Sequence, residues 1–269
     1  MSKKRRKTTS CFNCETPLNN RENYCPSCGQ ENHHKQASVV ILIRDFLGDS
    51  LSFDSKLFKS LAPLVLQPGV MTEDYLNGKR QKFVPPIRLF LFLSFIYFGL
   101  SLLLFQEWTG SVTLNGEVAT GKAAEEFGEA MRNNMNLLFF LFTPIQALII
   151  MIWYRSKERK YYVNFFVYSL HLFSLLFVMG TVIETLDWLF TGDQDFMTVF
   201  DWILFAFNVL LIAYFLVYTV VSLKRVFKKK NNILLFIITL IMSLIAFIVV
   251  SLIFILSLGW MYNMFTPVV

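Results

Sequence analysis

Five long apolar runs, each close to twenty residues and each bounded by charge, constrain this chain more than any other feature. They are roughly Pro86–Phe105, Leu137–Tyr154, Tyr162–Ile183, Trp202–Leu223 and Ile233–Leu258, and none contains Asp, Glu or Lys. About 20 residues rising 1.5 Å each cross a hydrocarbon layer of ~30 Å. Lipid offers no partner to a bare backbone group, so such runs are expected as helices. The competing reading is buried helices of a soluble protein. It fails on quantity: 55% of the 269 residues are hydrophobic, 29 are Phe, and only 16% are charged, against ~25% in ordinary soluble domains. The basic start, MSKKRRK, is followed by polar CFNCETPLNN, so no cleavable signal is expected, and the first apolar run serves as an uncleaved one. No lipidation motif marks either end.

Charge sets the expected orientation. Of 25 Lys and Arg, 14 precede or open the first run, four lie in RSKERK between runs two and three, and five in KRVFKKK between runs four and five. The loop between runs one and two holds only Lys122 and Arg132 beside five Glu, and the loop between runs three and four holds Glu184, Asp187, Asp193, Asp195 and Asp201. Positive charge is retained on the cytoplasmic side. The N-terminus is therefore expected inside and the C-terminus outside. Trp153, Tyr154, Tyr161 and Tyr162, with Trp108, Trp188, Trp202 and Trp260, mark the run ends, as interfacial rings do. The net charge of +6 reads as orientation toward anionic headgroups, and no nucleic-acid partner is expected.

All four cysteines lie in CFNCETPLNNRENYCPSCG, as Cys11, Cys14, Cys25 and Cys28. Two C-x2-C pairs can place four thiolates around a tetrahedral ion, and Zn2+ suits sulfur. The x10 spacer is shorter than the usual one; Pro26 and Gly29 suit a tight second turn. Two disulfides are the alternative, disfavoured on the reducing cytoplasmic side. Four thiolates leave no open position, so the zinc is expected to be structural. His33 and His34 are possible further ligands that a full shell does not need.

Between this module and the first run, residues 38–66 alternate apolar Phe46, Leu47, Leu51, Leu57, Phe58, Leu61 and Leu64 with polar Arg44, Asp45, Asp49, Ser52, Asp54, Lys56 and Lys59 on a helical period. Gly48 and Pro63 interrupt it. The stretch can lie in the bilayer interface or pack on the membrane domain or the cysteine module; both readings stand. The basic residues Lys79, Arg80, Lys82 and Arg88 that follow are expected to anchor the first run at the inner headgroups, Asn77-Gly78 to turn, and Pro85-Pro86 to start a new helix.

The run P-G-x4-D-Y-L-x-G-K-R-x2-F-x-P-P-x-R-L-F-L-F-x-S resembles the hallmark of a bacterial membrane-protein family, domain of unknown function 3667. The matching residues are Pro68, Gly69, Asp74, Tyr75, Leu76, Gly78, Lys79, Arg80, Phe83, Pro85, Pro86, Arg88, Phe90, Leu91 and Ser94. Phe83 and Phe90 stand where Tyr is commoner. The resemblance covers residues ~11–95 and implies an N-terminal Cys-x2-Cys ribbon followed by a polytopic segment in a bacterial inner membrane. It implies no reaction.

Away from the run ends, amide and imidazole side chains are few: Gln146, His171 and Asn208. In lipid such residues are functional candidates; interhelical hydrogen bonds are the plainer reading. No carboxylate sits within a run, and no nucleophile elbow, H-E-x-x-H or glycine-rich phosphate loop occurs. Ser169 and His171 are two apart and point to different helix faces. The acidic loops read as solvated, without calcium-loop spacing.

The expected fold is an all-α integral membrane protein: basic tail 1–10, zinc ribbon 11–30, amphipathic basic neck 31–85 and a five-helix domain 86–269. The expected function is a non-enzymatic membrane-anchored interaction or scaffold module, its ribbon docking a protein partner or steadying the neck. The alternatives are a small permease or channel at Gln146, His171 and Asn208, and a lipid-headgroup enzyme at Asp74, Tyr75, Gly78, Lys79, Arg80 and Arg88.

Overall fold

The computed structural model describes residues 8–19, 22–32, 38–47, 55–104, 112–114, 117–119, 122–156, 159–190, 199–228 and 233–265. Among them are eight helices: α1 (Val39–Leu47), α2 (Ser55–Leu66), α3 (Val70–Leu76), α4 (Pro86–Leu104), α5 (Lys122–Tyr154), α6 (Tyr162–Phe190), α7 (Val199–Phe227) and α8 (Ile233–Phe265). Five of them, α4 to α8, contain stretches long and apolar enough to cross a membrane, as a multi-pass membrane protein requires. Pro86 opens α4 at the first helical position, where its missing N–H costs nothing. The all-α expectation needs one addition. Strands β1 (Val112–Leu114) and β2 (Glu117–Ala119) pair antiparallel between α4 and α5. Asn115-Gly116 falls between them, a dipeptide that favours two-residue hairpins.

The central helix is α6. It packs against α4, α5 and α7, while α8 rests on α5. Its middle is the most buried of the five, and α7 and α8 are the least. On the outer faces of α7 and α8, Phe205, Leu210, Ile212, Ile241, Ile248 and Leu252 are exposed, a surface water would not tolerate at this extent. Inside, Phe139 meets Phe173 and Phe177 edge-on at 5.9 and 5.6 Å, and Phe98 meets Phe177 at 5.7 Å, an arrangement the ring quadrupole favours. Gly180 sets the approach of α4 to α6: a Cβ there would lie 2.6 Å from a Tyr97 ring carbon.

The neck belongs to this bundle. Helices α2 and α3 form a hairpin about Gly69, which holds φ 76°, and α3 packs on α6 and α7. A Cβ on Gly69 would stand 3.1 Å from the Ser222 backbone of α7, so the tight turn and the close approach both ask for glycine. Leu64, Met71, Thr72, Tyr75 and Leu76 are buried. Helix α1 packs on α4, with Leu42 inward. Val40 of α1 and Phe58 of α2, 67% and 72% exposed, point the other way. One face of this stretch thus packs on protein, and the other is apolar and open. Gly48, Asp49, Leu51, Ser52 and Asp54 of the sequence pattern lie outside the described residues.

Candidate functional site

The four cysteines converge. Their Sγ atoms all lie within 4.8 Å of one another, with Cys11 and Cys28 3.6 Å apart and Cys14 and Cys25 3.5 Å apart. All four are free thiols. Bonds of ~2.3 Å at tetrahedral angles would place sulfurs about 3.8 Å apart, so the spacing fits a single zinc-sized ion, whereas a disulfide needs ~2.05 Å. The local fold explains the convergence. Glu15 N donates to Cys11 O at 2.9 Å and Gly29 N to Cys25 O at 2.9 Å; Cys11 N donates to Thr16 O and Cys25 N to Gln30 O. Bridges Ser10–Pro17 and Tyr24–Glu31 close the two loops. Each feature recurs at an offset of fourteen residues, so two equivalent knuckles face each other. Glu15 adopts the positive φ, 63°, that Gly29 holds at 72° in the second knuckle.

The thiols differ in character. Hydrogen bonding from Thr16, whose hydroxyl is 3.1 Å from the sulfur, pulls the Cys14 thiol down to about 6. Burial pushes Cys28 up to about 12 and raises Cys11 as well. A bound cation would favour all four thiolates. His33 and His34 lie outside the described residues, as do Lys3 to Lys7, Trp108, Asp193 and Asp195.

The module is clamped to the neck. Gln30, buried, donates from Nε2 to Gly78 O at 2.8 Å and accepts at Oε1 from Arg80 N at 2.9 Å. Phe12 of the first knuckle lies against Gly78, which holds φ 93°; a Cβ there would meet the Phe12 side chain at 3.2 Å. Both knuckles therefore grip the turn that precedes the first long apolar helix.

The neck residues singled out in the sequence are drawn into internal contacts. Arg80 is only 7% exposed, 3.9 Å from the Asp45 carboxylate and 5.6 Å over the Tyr75 ring. Tyr75 donates its hydroxyl to Asp45 at 2.7 Å; burial, then the Asp45 charge, pushes its phenol up, so it stays a donor. Burial lowers the Arg80 guanidinium, with Tyr75 and Asp45 opposing. Asp74 pairs with Lys82 at 2.6 Å and Lys79 at 3.5 Å. Arg88 donates twice to Phe46 O, at 2.6 and 2.9 Å, at the last turn of α1. There it satisfies a carbonyl the helix leaves open.

The neck then locks into the bundle through residues that no local pattern marks. Tyr218 donates to Leu64 O at 2.7 Å, and Tyr214 to Val65 O. Two of the last carbonyls of α2, which the helix itself leaves open, are thus satisfied by phenols of α7. Thr72 shares a 2.8 Å hydrogen bond with His171 Nδ1. Arg159 donates to Leu76 O and Asn77 Oδ1, and Arg225 to Pro68 O. The basic loop after α5 and the last turn of α7 thereby meet the neck at one end of the bundle.

Gln146, His171 and Asn208 are not joined by any hydrogen bond among the described residues. His171 turns to Thr72, Gln146 lines a cleft between α5, α6, α7 and α8, and Asn208 lies in neither contact.

Residues 54–98 match the family described as protein of unknown function (DUF3667). The matched stretch runs through α2, the glycine turn, α3 and the Arg80 turn into α4, which bears out the resemblance drawn from the neck. No curated protein and no solved structure matches the chain.

Proposed function

We propose that this chain is a multi-pass protein of a bacterial cytoplasmic membrane in which an N-terminal zinc ribbon, facing the cytoplasm, holds the neck in place and presents a docking surface for a protein partner. Cys11, Cys14, Cys25 and Cys28 hold the ion, and a closed four-thiolate shell makes it structural. Orientation rests on positive charge: the neck, the loop after α5 and the end of α7 are all basic and gather at one end.

The observation that carries the scaffold reading is Gln30. One buried amide bonds both sides of the Gly78–Arg80 turn, so folding of the ribbon and placement of the neck are one event. A ribbon of this size has little core of its own and folds with its metal. Tyr24, 62% exposed on the second knuckle, is the ring offered to a partner. The exposed apolar side of α1 and α2 rests in the interface.

The deciding experiment replaces Cys25 and Cys28 together with Ser in the full-length chain. Zinc, one per chain in the native protein, is lost; the neck becomes protease-sensitive; and the apolar helices stay inserted. Zinc retained by the double variant ends the proposal.

A further inference from the structure

A cleft of about 270 Å³ lies between α5, α6, α7 and α8. Its floor is the packed pair α5 and α6. Its walls are α7 and α8, which make little contact with each other among the described residues. Leu244, on the α8 wall, is exposed, so the cleft is open on the side where the two walls part. No charged residue lines it. One end is aromatic, with Phe139, Phe142, Phe173 and Phe247.

The polar lining is Gln146, Thr219, Thr239 and Ser243. Three of these are satisfied within their own helices: Thr219 donates to Phe215 O at 2.8 Å, Thr239 to Leu235 O at 2.7 Å and Ser243 to Thr239 O at 2.7 Å. Gln146 differs. It is only 8% exposed, and its buried Oε1 has no hydrogen-bond partner. A buried amide oxygen left bare is costly, so this position is built to receive a donor.

We propose that the cleft binds a neutral long-chain alcohol, or a lipid of that class, which enters from the bilayer between α7 and α8 and donates its hydroxyl to Gln146 Oε1 once the amide, now tucked under the lining, turns into the cleft. Each part of the class follows from the lining. A phosphate or ammonium headgroup would find no counter-charge and would be stranded in an apolar wall. A plain hydrocarbon would leave Gln146 unpaired. A hydroxyl both donates and accepts, so it serves either orientation of the amide. The volume falls just below the ~300–1,000 Å³ usual for ligand pockets, so the cleft takes part of a chain, not a whole lipid; the rest of the chain remains in the bilayer. The inference rests on reading α4 to α8 as membrane spans, and it goes beyond the scaffold role because it assigns those spans a ligand.

The test uses the full chain in phosphatidylcholine nanodiscs, with photoreactive hexadecanol and the matching photoreactive hexadecane. Hexadecanol is expected to label cleft-lining peptides about threefold more than the alkane, the size of an average hydrogen bond in a bilayer. Gln146→Leu is expected to bring the ratio to one while zinc content stays unchanged. In the native chain, excess unlabelled hexadecanol displaces the label and hexadecane does not, which tests the site without any variant. Equal labelling by the two probes, a preference that survives Gln146→Leu, or label spread evenly over all outward faces overturns the proposal. A chain that stays monodisperse without detergent would remove the membrane reading itself, a separate failure.

Discussion

Thr72, on the seven-residue helix of the neck, shares a 2.8 Å hydrogen bond with Nδ1 of His171 in the central helix. Both residues are buried. The contact makes the neck part of the bundle core and fixes how deep the α2–α3 hairpin sits. His171 is nine residues beyond the start of α6, or about 14 Å along the axis.

Thr72→Val keeps the shape and removes the hydroxyl. A bare ring nitrogen then remains buried, and stability should fall by about 1–3 kcal/mol. His171→Leu should fall similarly, and the double variant by less than the two together, because they lose one shared contact. Thermal unfolding in detergent reads all three; strict additivity would count against the bond.

Two glycines of like backbone should respond unequally to alanine. Gly29, at φ 72°, has open space where a Cβ would go, so Gly29→Ala carries only the backbone penalty of about 1 kcal/mol. Gly69, at φ 76°, faces the Ser222 backbone at 3.1 Å. Gly69→Ala must therefore also push the hairpin off α7. Its unfolding midpoint is expected to drop at least twice as far; equal drops would show that the turn does not touch α7.

Tyr214→Phe and Tyr218→Phe each uncover a carbonyl at the end of α2. Each is expected to cost about 0.6–1.7 kcal/mol, measured by the same unfolding assay. No loss in either variant would mean the α2 terminus finds other partners.

Gln30→Leu separates metal binding from neck placement. The four thiols are untouched, so zinc content should be the same as in the native chain. The Arg80 amide, which donates to Gln30, should exchange its hydrogen faster. An unchanged exchange rate would remove the clamp from the account.

Metal removal tests whether ion and ribbon fold together. With zinc loaded, Cys11, Cys14, Cys25 and Cys28 should all resist alkylation, because each thiolate is engaged by the ion. After chelation under reducing conditions the ribbon should lose its fold, and all four should react together. Peptide mass spectrometry after a short alkylation pulse checks this. Protection that survives chelation would show that the ribbon holds its shape without an ion.

Much of this architecture could be read along the chain because its causes are local. A run such as Ile233–Leu258 declares itself by length and lack of charge, and Cys11, Cys14, Cys25 and Cys28 by spacing alone. The pairing of β1 and β2 carries a local signal, Asn115-Gly116, to which hydropathy is blind. Thr72, Gln30, Tyr214 and Tyr218 carry no such mark. Their partners lie 99, 48, 149 and 154 residues away, and nothing in the neighbouring residues encodes a partner at that range. Arg80 shows the same limit. In sequence it is one of a cluster of cations beside an apolar run; in space it turns inward to Asp45 and Tyr75, while Lys79 and Lys82 share Asp74.

Those long separations also order events at the ribosome. Leu64 leaves the exit tunnel 154 residues before Tyr218, about 8–30 s at ordinary elongation rates. For that interval the Leu64 and Val65 carbonyls at the end of α2 have no phenol to bond. The hairpin can complete its contacts only once the fourth apolar helix has been made, so the finished seam with α7 records that translation has passed that point.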